Sequence, residues 1–587
     1  MNSSPKHKAV DPRSLPNFNR DVFDAGQQIS RIGQGELGGK GTGLASIQQT
    51  LEQSVTLNEY PGITISIPRM VVVTTDVFDR FMQLNNLYEV ALSGVRDQEI
   101  AAAFQEADLP PETVGDFRAL SNAAKQPLAV RSSSLLEDAI YEPFAGVYAT
   151  KMIPNNQPEP DQRFRKLVEA IKFVYASTFF SEARGYLHRT GRGDRDEKMA
   201  LVIQEVVGHR FQERFYPHIS GVARSYNFYP TGSASPEQGV VSLALGLGKT
   251  IVDGGVVWSY SPALPMANPP VSSARDLLKL TQTRFWAVGM GKPPAHDPTQ
   301  EAEYLVHDDL GAAEFDGSLK FVASTYRAAD DRVVTGTGPD GPRVINFAPI
   351  LRLDEIPLNN FVKDLVKVCE EAAGGEVEIE FAVVLDSKHG LPARFGFLQV
   401  RPMVVTDAEV EVTEKELAAP GAIIASRRVL GNGTADDIHD IVYVTPESFD
   451  PSHAREIVDE LSKINKKLLD QRRPYVLIGF GRWGSSDPWL GIPVNWSQIS
   501  GARVIVEATL EKMDVELSQG SHFFHNITSF QLFYLSVHHS AHPGIDWSWL
   551  TRQPAQEETK HVRHVRLDSH LTVKVDGHGG RGVVVHG

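Results

Sequence analysis

Residues 376–403 read E-V-E-I-E-F-A-V-V-L-D-S-K-H-G-L-P-A-R-F-G-F-L-Q-V-R-P-M. Two β-rich runs flank a turn containing Asp386, Ser387, Gly390 and Pro392, and that pattern predicts a hairpin. Glu376, Glu378 and Glu380 alternate with Val377, Ile379 and Phe381. Strand side chains alternate between faces, so the three carboxylates share one side and the apolar residues pack beneath. Gln399 and Arg401 share a face of the second strand. A row of like charges repels itself unless a cation lies against it, and oxygen ligands on a rigid ribbon suit Mg²⁺ held together with nucleotide phosphates. The same alternation also suits the solvated polar face of an edge hairpin.

The chain is 587 residues long, which predicts three or four domain-sized units. Its 58 basic and 73 acidic residues give a formal charge of −15. That balance argues against a general nucleic-acid binder, which needs a basic surface to displace phosphate counterions. Cys369 is the single cysteine, so no disulfide framework and no cysteine-based metal site is expected. The first thirty residues are polar without an apolar signal core, and no run approaches the ~18 apolar residues of a membrane span. The expectation is a cytoplasmic protein with no membrane partner.

Residues 1–29 read as a loose arm. Residues 31–52, R-I-G-Q-G-E-L-G-G-K-G-T-G-L-A-S-I-Q-Q-T-L-E, place a glycine cluster before a helical pattern. Such a loop presents free backbone N–H groups to an anion, and Lys40 adds charge. Gly33, Gly35 and Gly38 fit G-x-G-x-x-G, but the preceding strand is weak. A Walker loop fails, because Gln34 replaces its first glycine and Gly41 its Ser/Thr. A purely structural turn and helix start remains open. Residues 127–148 carry a buried strand ending at Arg131, followed by Ser132, Ser133 and Ser134. An arginine fork with hydroxyls at a strand end makes a phosphate clamp. The alternative is a strand cap paired with Glu137. Residues 162–188 read as one long amphipathic helix. Residues 240–255 read as a strand and glycine turn, in which Lys249-Thr250 again lacks the first P-loop glycine.

Four stretches stand in one order: G-G-K-G-T-G-L-A, V-R-S-S-S-L-L-E-D…F-A-G, S-G-V-A…G-L-G-K-T-I-V-D-G-G, and E-I-E-F…L-Q-V-R-P. Together they resemble the ATP-binding domain of the phosphoenolpyruvate synthase / pyruvate phosphate dikinase family. The resemblance implies an α/β (α+β) architecture: an ATP-grasp-like two-lobed nucleotide-binding domain plus a smaller C-terminal α/β domain. The expected divisions are a flexible arm at 1–29, a first lobe at 30–210, a second lobe with the metal-binding hairpin at 211–410, and the C-terminal domain at 411–587. ATP as substrate and Mg²⁺ as cofactor are implied with it.

Carried over position by position, Lys40 and the neighbouring Gly39 and Gly41 match the loop on the phosphates. Arg131, with Ser132 beside it, matches the strand-end arginine that steadies the transferred phosphoryl groups. Gln204 lies where adenine and hinge contacts are made, and Gly248 falls in the second glycine turn. Glu378 and Glu380 take the places of the acidic pair on Mg²⁺. Gln399 matches the metal-phosphate glutamine and Arg401 the arginine near the phosphates. Arg131, Lys40 and Arg401 are thereby the expected catalytic residues. The family usually has Asp where Glu378 stands, and G-L-G-E where this chain has G-L-G-K at Lys249.

Full members carry a T-S-H-A-type phosphohistidine box and a pyruvate barrel, and neither is found in these residues. The resemblance therefore implies an ATP-dependent phosphotransferase acting on a histidine or another acceptor, with a separate phosphohistidine-domain protein as partner. A non-catalytic ATP-binding regulatory subunit and an ATP-grasp ligase are the alternatives. In the C-terminal part, Gly481, Arg482, Trp483, Gly484, Ser485 and Ser486 suit an anion. His522 and His525, three apart, suit a metal, a phosphoryl acceptor or ordinary surface positions. The basic run 559–571 reads as an edge strand.

Overall fold

The computed structural model describes residues 14–20, 28–135, 146–189, 197–228, 230, 234–267, 274–385, 393–403, 410–485, 487–513 and 532–586. The chain divides into two units, and the first comprises residues 1–227, 231–251 and 256–403. Its strands, in chain order, are β1 (Ile29–Ile32), β2 (Ile63–Ser66), β3 (Met70–Val73), β4 (Leu128–Ser134), β5 (Thr150–Ile153) and β6 (Met199–Glu205). There follow β7 (His209–Phe211), β8 (Arg214–Tyr216), β9 (Ile219–Arg224), β10 (Val240–Ala244), β11 (Trp258–Tyr260) and β12 (Arg284–Gly289). The last are β13 (Leu305–Asp309), β14 (Ala323–Arg327), β15 (Arg332–Thr335), β16 (Arg343–Ile345), β17 (Val377–Val384) and β18 (Ala393–Pro402).

One sheet has the order β1-β3-β6-β4-β5, and a second has the order β11-β10-β9-β17-β18-β2. The hairpin β17–β18 is therefore interior to its sheet, with β9 on one side and β2 on the other. The edge-hairpin alternative is corrected by that pairing: Glu378 is buried in the middle of the ladder. The turn residues Asp386, Ser387, Gly390 and Pro392 lie outside the described residues. Two smaller sheets, β13-β12-β8-β7 and β15-β14-β16, complete the unit.

The helix Gly38–Gln53 ties the two large sheets together. Its Leu44, Ile47 and Leu51 are buried in one apolar cluster with Met70, Val72 and Val202 of the first sheet and Ile379, Phe381 and Phe397 of the second. Burying each such side chain contributes about 1.5–3 kcal/mol over leaving it exposed. The S-G-V-A motif is explained by the same packing. Gly221 pairs with Phe381 across β9 and β17, and a Cβ on Gly221 would lie 2.1 Å from the Phe381 ring. That ring stacks on Phe395 at 4.7 Å. The segment expected as one long helix is instead Pro160–Ser177 followed by Ser181–Arg189.

The second unit comprises residues 228–230, 252–255 and 404–587. It carries β19 (Ala422–Ser426), β20 (Val429–Leu430), β21 (Gly433–Val444), β22 (Tyr475–Phe480), β23 (Arg482–Trp483), β24 (Gly491–Ile492), β25 (Ala502–Ala508), β26 (Phe533–Val537), β27 (Ala555–Glu558), β28 (Val562–Asp576) and β29 (Arg581–His586). Its main sheet has the order β19-β29-β28-β21-β22-β25-β26-β20, with β27 on β28. β21, β22, β25 and β26 run parallel, as expected where a helix, Ala454–Asp470, connects the first two. Ile457, Leu461, Ile464 and Leu468 form that helix's buried stripe. The basic run expected at a sheet edge lies instead in the interior strand β28, paired with β21, β27 and β29. Val565, Val573 and Val575 of this strand are buried in the unit's apolar core cluster.

Candidate active site

Arg131 of the first sheet reaches the hairpin of the second. Its Nη2 donates to Gln399 Oε1 at 2.7 Å and lies 3.3 Å from Glu380 Oε2. Its Nη1 donates to the Leu398 carbonyl at 3.0 Å and approaches Gln204 Oε1 at 3.5 Å. The register explains the Leu398 contact. Glu380 faces Gln399, but Phe381 faces Phe397, so Leu398 is the extra residue of a β-bulge. A bulged residue is left out of the ladder, and here its carbonyl accepts from the arginine instead.

Glu378 is the centre of the neighbouring rung. It faces Arg224 across β9 and Arg401 across β18. Arg224 Nε donates to Glu378 Oε2 at 2.5 Å, and Arg401 Nε donates to Glu378 Oε1 at 2.7 Å. Glu378 and Arg401 are both 2% exposed. Glu380 is placed differently: its Oε1 is buried without a hydrogen-bond partner, and Arg401 Nη2 is its nearby cation at 3.8 Å. Three guanidiniums therefore face two carboxylates, which leaves the cluster positive and receptive to an anion.

The helix Gly38–Gln53 begins between the strands that carry these groups. The Gly41 N–H donates to Ser133 Oγ at 3.0 Å, and Ser133 Oγ donates to the Leu37 carbonyl at 2.8 Å. Gly38 has φ +71°, and a Cβ there would lie 1.6 Å from the Ser133 carbonyl oxygen, so no other residue fits. On the other side a Cβ on Gly43 would lie 3.4 Å from the Val400 carbonyl. Lys40 is buried in this first turn, and Leu37 provides no side-chain cap to its amides. The preceding loop is held by Asp76, which accepts from Gln34 N at 3.0 Å and Gly35 N at 2.8 Å. Burial alone would raise the Asp76 carboxyl, but hydrogen bonds from Thr74, Gly35 and Gln34 and the nearby Arg80 hold it below the usual carboxylate range.

Not every expected residue joins this group. Ser132 is buried on the face of β4 opposite to Arg131 and Ser133, by strand alternation. Gly41 spends its amide on Ser133 rather than presenting it outward. Gly248 lies against Ser220 at the start of β9, two residues along from Val222, which faces Glu380. Lys249 Nζ sits 5.9 Å over the Trp286 ring. Sequence reasoning missed Arg224, Asp76 and the Leu398 carbonyl. The only local signal was an arginine closing S-G-V-A-R, without a register to say what it faces.

Residues 34–420 match the family described as "Pyruvate phosphate dikinase, AMP/ATP-binding domain". The chain belongs to that family. All of the residues just placed, from Lys40 to Arg401, fall within the matched span. The chain is also similar to rifampicin phosphotransferase of Streptomyces sviceus, 29% identical over 250 residues, or 40% of this chain. That alignment covers 25% of the relative's length. The membership shows an AMP/ATP-binding domain in an α/β fold.

Among the described residues no group of three or more His, Cys, Asp or Glu is arranged to hold a metal ion. Mg²⁺ keeps several waters and is completed by substrate phosphates, so one carboxylate oxygen suffices. The orphaned Glu380 Oε1 fits that role, with Gln399 beside it.

In the second unit, the Arg482 expected at an anion is buried, and its Nη1 donates to the Gly254 carbonyl at 3.0 Å. Trp483 Nε1 donates to the Val506 carbonyl at 3.1 Å. Arg482 Nη1 and Trp483 Nε1 are thus committed to internal bonds. Glu137, Ser486, His522 and His525 lie outside the described residues. Among the described residues no helix is long and apolar enough to cross a membrane.

Proposed function

We propose that this chain is an ATP-binding, Mg²⁺-dependent phosphotransferase that passes phosphate from ATP to a histidine or another acceptor, with a partner chain supplying it. One observation carries the reading: Arg131 of one sheet converges on Glu380 and Gln399 of the other. A guanidinium fork and an orphaned carboxylate oxygen at one point suit a triphosphate and its metal. Arg131 and Arg401 bind and orient the phosphates. Lys40 and the Gly39 amide add charge and donors from the helix start. Gln204 stands behind Arg131 toward the base, and Glu380 with Gln399 would hold the ion. When bound, Mg²⁺ neutralises and aligns the phosphate oxygens. Phosphoryl transfer needs that alignment more than a protein nucleophile.

The test is labelled ATP with the purified chain, with and without candidate acceptors. The expected products are AMP, one equivalent of inorganic phosphate released to water, and an acid-labile phosphohistidine on an added histidine-box protein. Rifampicin, for which the similar relative is named, belongs in the same acceptor screen. ATP binding with no turnover under any acceptor would replace this reading with that of a regulatory subunit.

A further inference from the structure

The structure assigns Arg224 a role that goes beyond the proposed phosphotransfer and rests on it: we infer that Arg224 withholds Glu378 from the metal and makes it the anchor of Arg401. The observation is the rung Arg224–Glu378–Arg401 across three adjacent strands. Glu378 Oε2 is taken by Arg224 at 2.5 Å and Oε1 by Arg401 at 2.7 Å. Arg401 donates to Glu378 Oε1 through both Nε and Nη2, and Arg224 donates to Oε2, so most of the carboxylate's acceptor capacity is taken, and a metal placed there would meet two positive charges at contact distance. Glu380, one rung away, has the opposite character, since its Oε1 has no hydrogen-bond partner.

Two carboxylates two residues apart on one strand face thus hold different offices. Glu380 is the metal carboxylate. Glu378 holds Arg401 in place, with its Nη2 3.8 Å from Glu380 Oε1. Arg224 is a positioning residue that acts through Glu378. The site then takes one Mg²⁺ through one carboxylate oxygen.

The test uses the full chain and Mn²⁺ alone, with the free ion followed by electron paramagnetic resonance. Arg224→Met frees Glu378 Oε2 and is expected to tighten Mn²⁺ binding by about 10-fold or more, because a second carboxylate becomes available to the ion. The double variant Arg224→Met/Glu378→Gln is expected to lose that gain. Glu378→Gln alone leaves Mn²⁺ binding at the wild-type value but weakens metal-free ATP binding by calorimetry, because Arg401 loses its anchor. Glu380→Gln removes the wild-type Mn²⁺ binding. A loss of Mn²⁺ in Glu378→Gln, or no gain in Arg224→Met with an unchanged melting curve, overturns the assignment. The Glu378→Gln comparison keeps it testable should Arg224→Met not fold. A chain that binds Mn²⁺ as described but turns over no ATP with any acceptor leaves this assignment standing and removes only the proposed phosphotransfer.

Discussion

Arg131 Nη1 donates to the Leu398 carbonyl at 3.0 Å, and that carbonyl is outside the β17–β18 ladder because Leu398 is the bulged residue. A side chain from one sheet thus docks on a backbone irregularity of another. The bulge also sets where Glu380 and Gln399 stand relative to the arginine.

Arg131→Lys keeps the charge but loses the fork that serves Leu398, Gln399 and Glu380 together. A lysine cannot donate in two fixed directions from one plane. ATP turnover should fall by roughly 10²-fold, the weight of one well-placed donor. Steady-state kinetics with the melting curve held as a control checks this; unchanged turnover would remove Arg131 from the site.

Gly221→Ala drives a methyl into the Phe381 ring, which lies 2.1 Å from the Cβ position. Overpacking of this kind costs about 1–3 kcal/mol. The thermal midpoint should drop, and Phe381→Leu on the same background should recover part of the loss, because the two residues are in contact. Strict additivity of the two changes would contradict the packing.

Asp76→Ala releases the loop before the helix Gly38–Gln53. Hydrogen bonds to a charged acceptor are worth about 1.5–3 kcal/mol, and the loss should appear in urea unfolding. The Asp76 carboxyl is held below its usual range, against burial, by Thr74, Gly35 and Gln34. Its contribution is therefore present above the unfolded carboxylate range and lost as pH falls through its lowered value. Wild-type stability should decline on acidification more steeply than that of Asp76→Asn.

Glu370 behaves in the opposite sense. Burial, and next the hydrogen bond and charge of Glu376, push its carboxyl up to about 7. Ser225 is bound to Glu376, and Glu371 adds further negative charge. The folded chain therefore keeps a proton there that the unfolded chain releases near pH 4.3. Stability from this pair is full below that pH and is lost as pH rises toward 7. Glu370→Gln should flatten the fall in melting temperature between about pH 4.5 and 7; an unchanged slope in differential scanning fluorimetry would count against the pairing.

Read from residues alone, the hairpin, the buried strand ending in Arg131 and the glycine-rich helix start are all local patterns. A period of two, an arginine after an apolar run, and glycines before a helical period need no knowledge of distant chain. The order of four such patterns was enough to point to the family. The Arg224 rung, the bulge at Leu398 and the interior place of β28 were not legible, because each depends on which strand pairs with which and in what register.

Sequence by itself determined that an acidic ribbon, a cationic strand end and a glycine-rich helix start exist in this chain, since short-range stereochemistry specifies them. Only the tertiary structure decided which carboxylate is caged between two guanidiniums and which keeps a buried oxygen without a hydrogen-bond partner. Glu378 and Glu380 are the same residue type on the same face, and what separates them is the neighbour that a strand 154 residues earlier brings alongside: Arg224 opposite one, Val222 opposite the other.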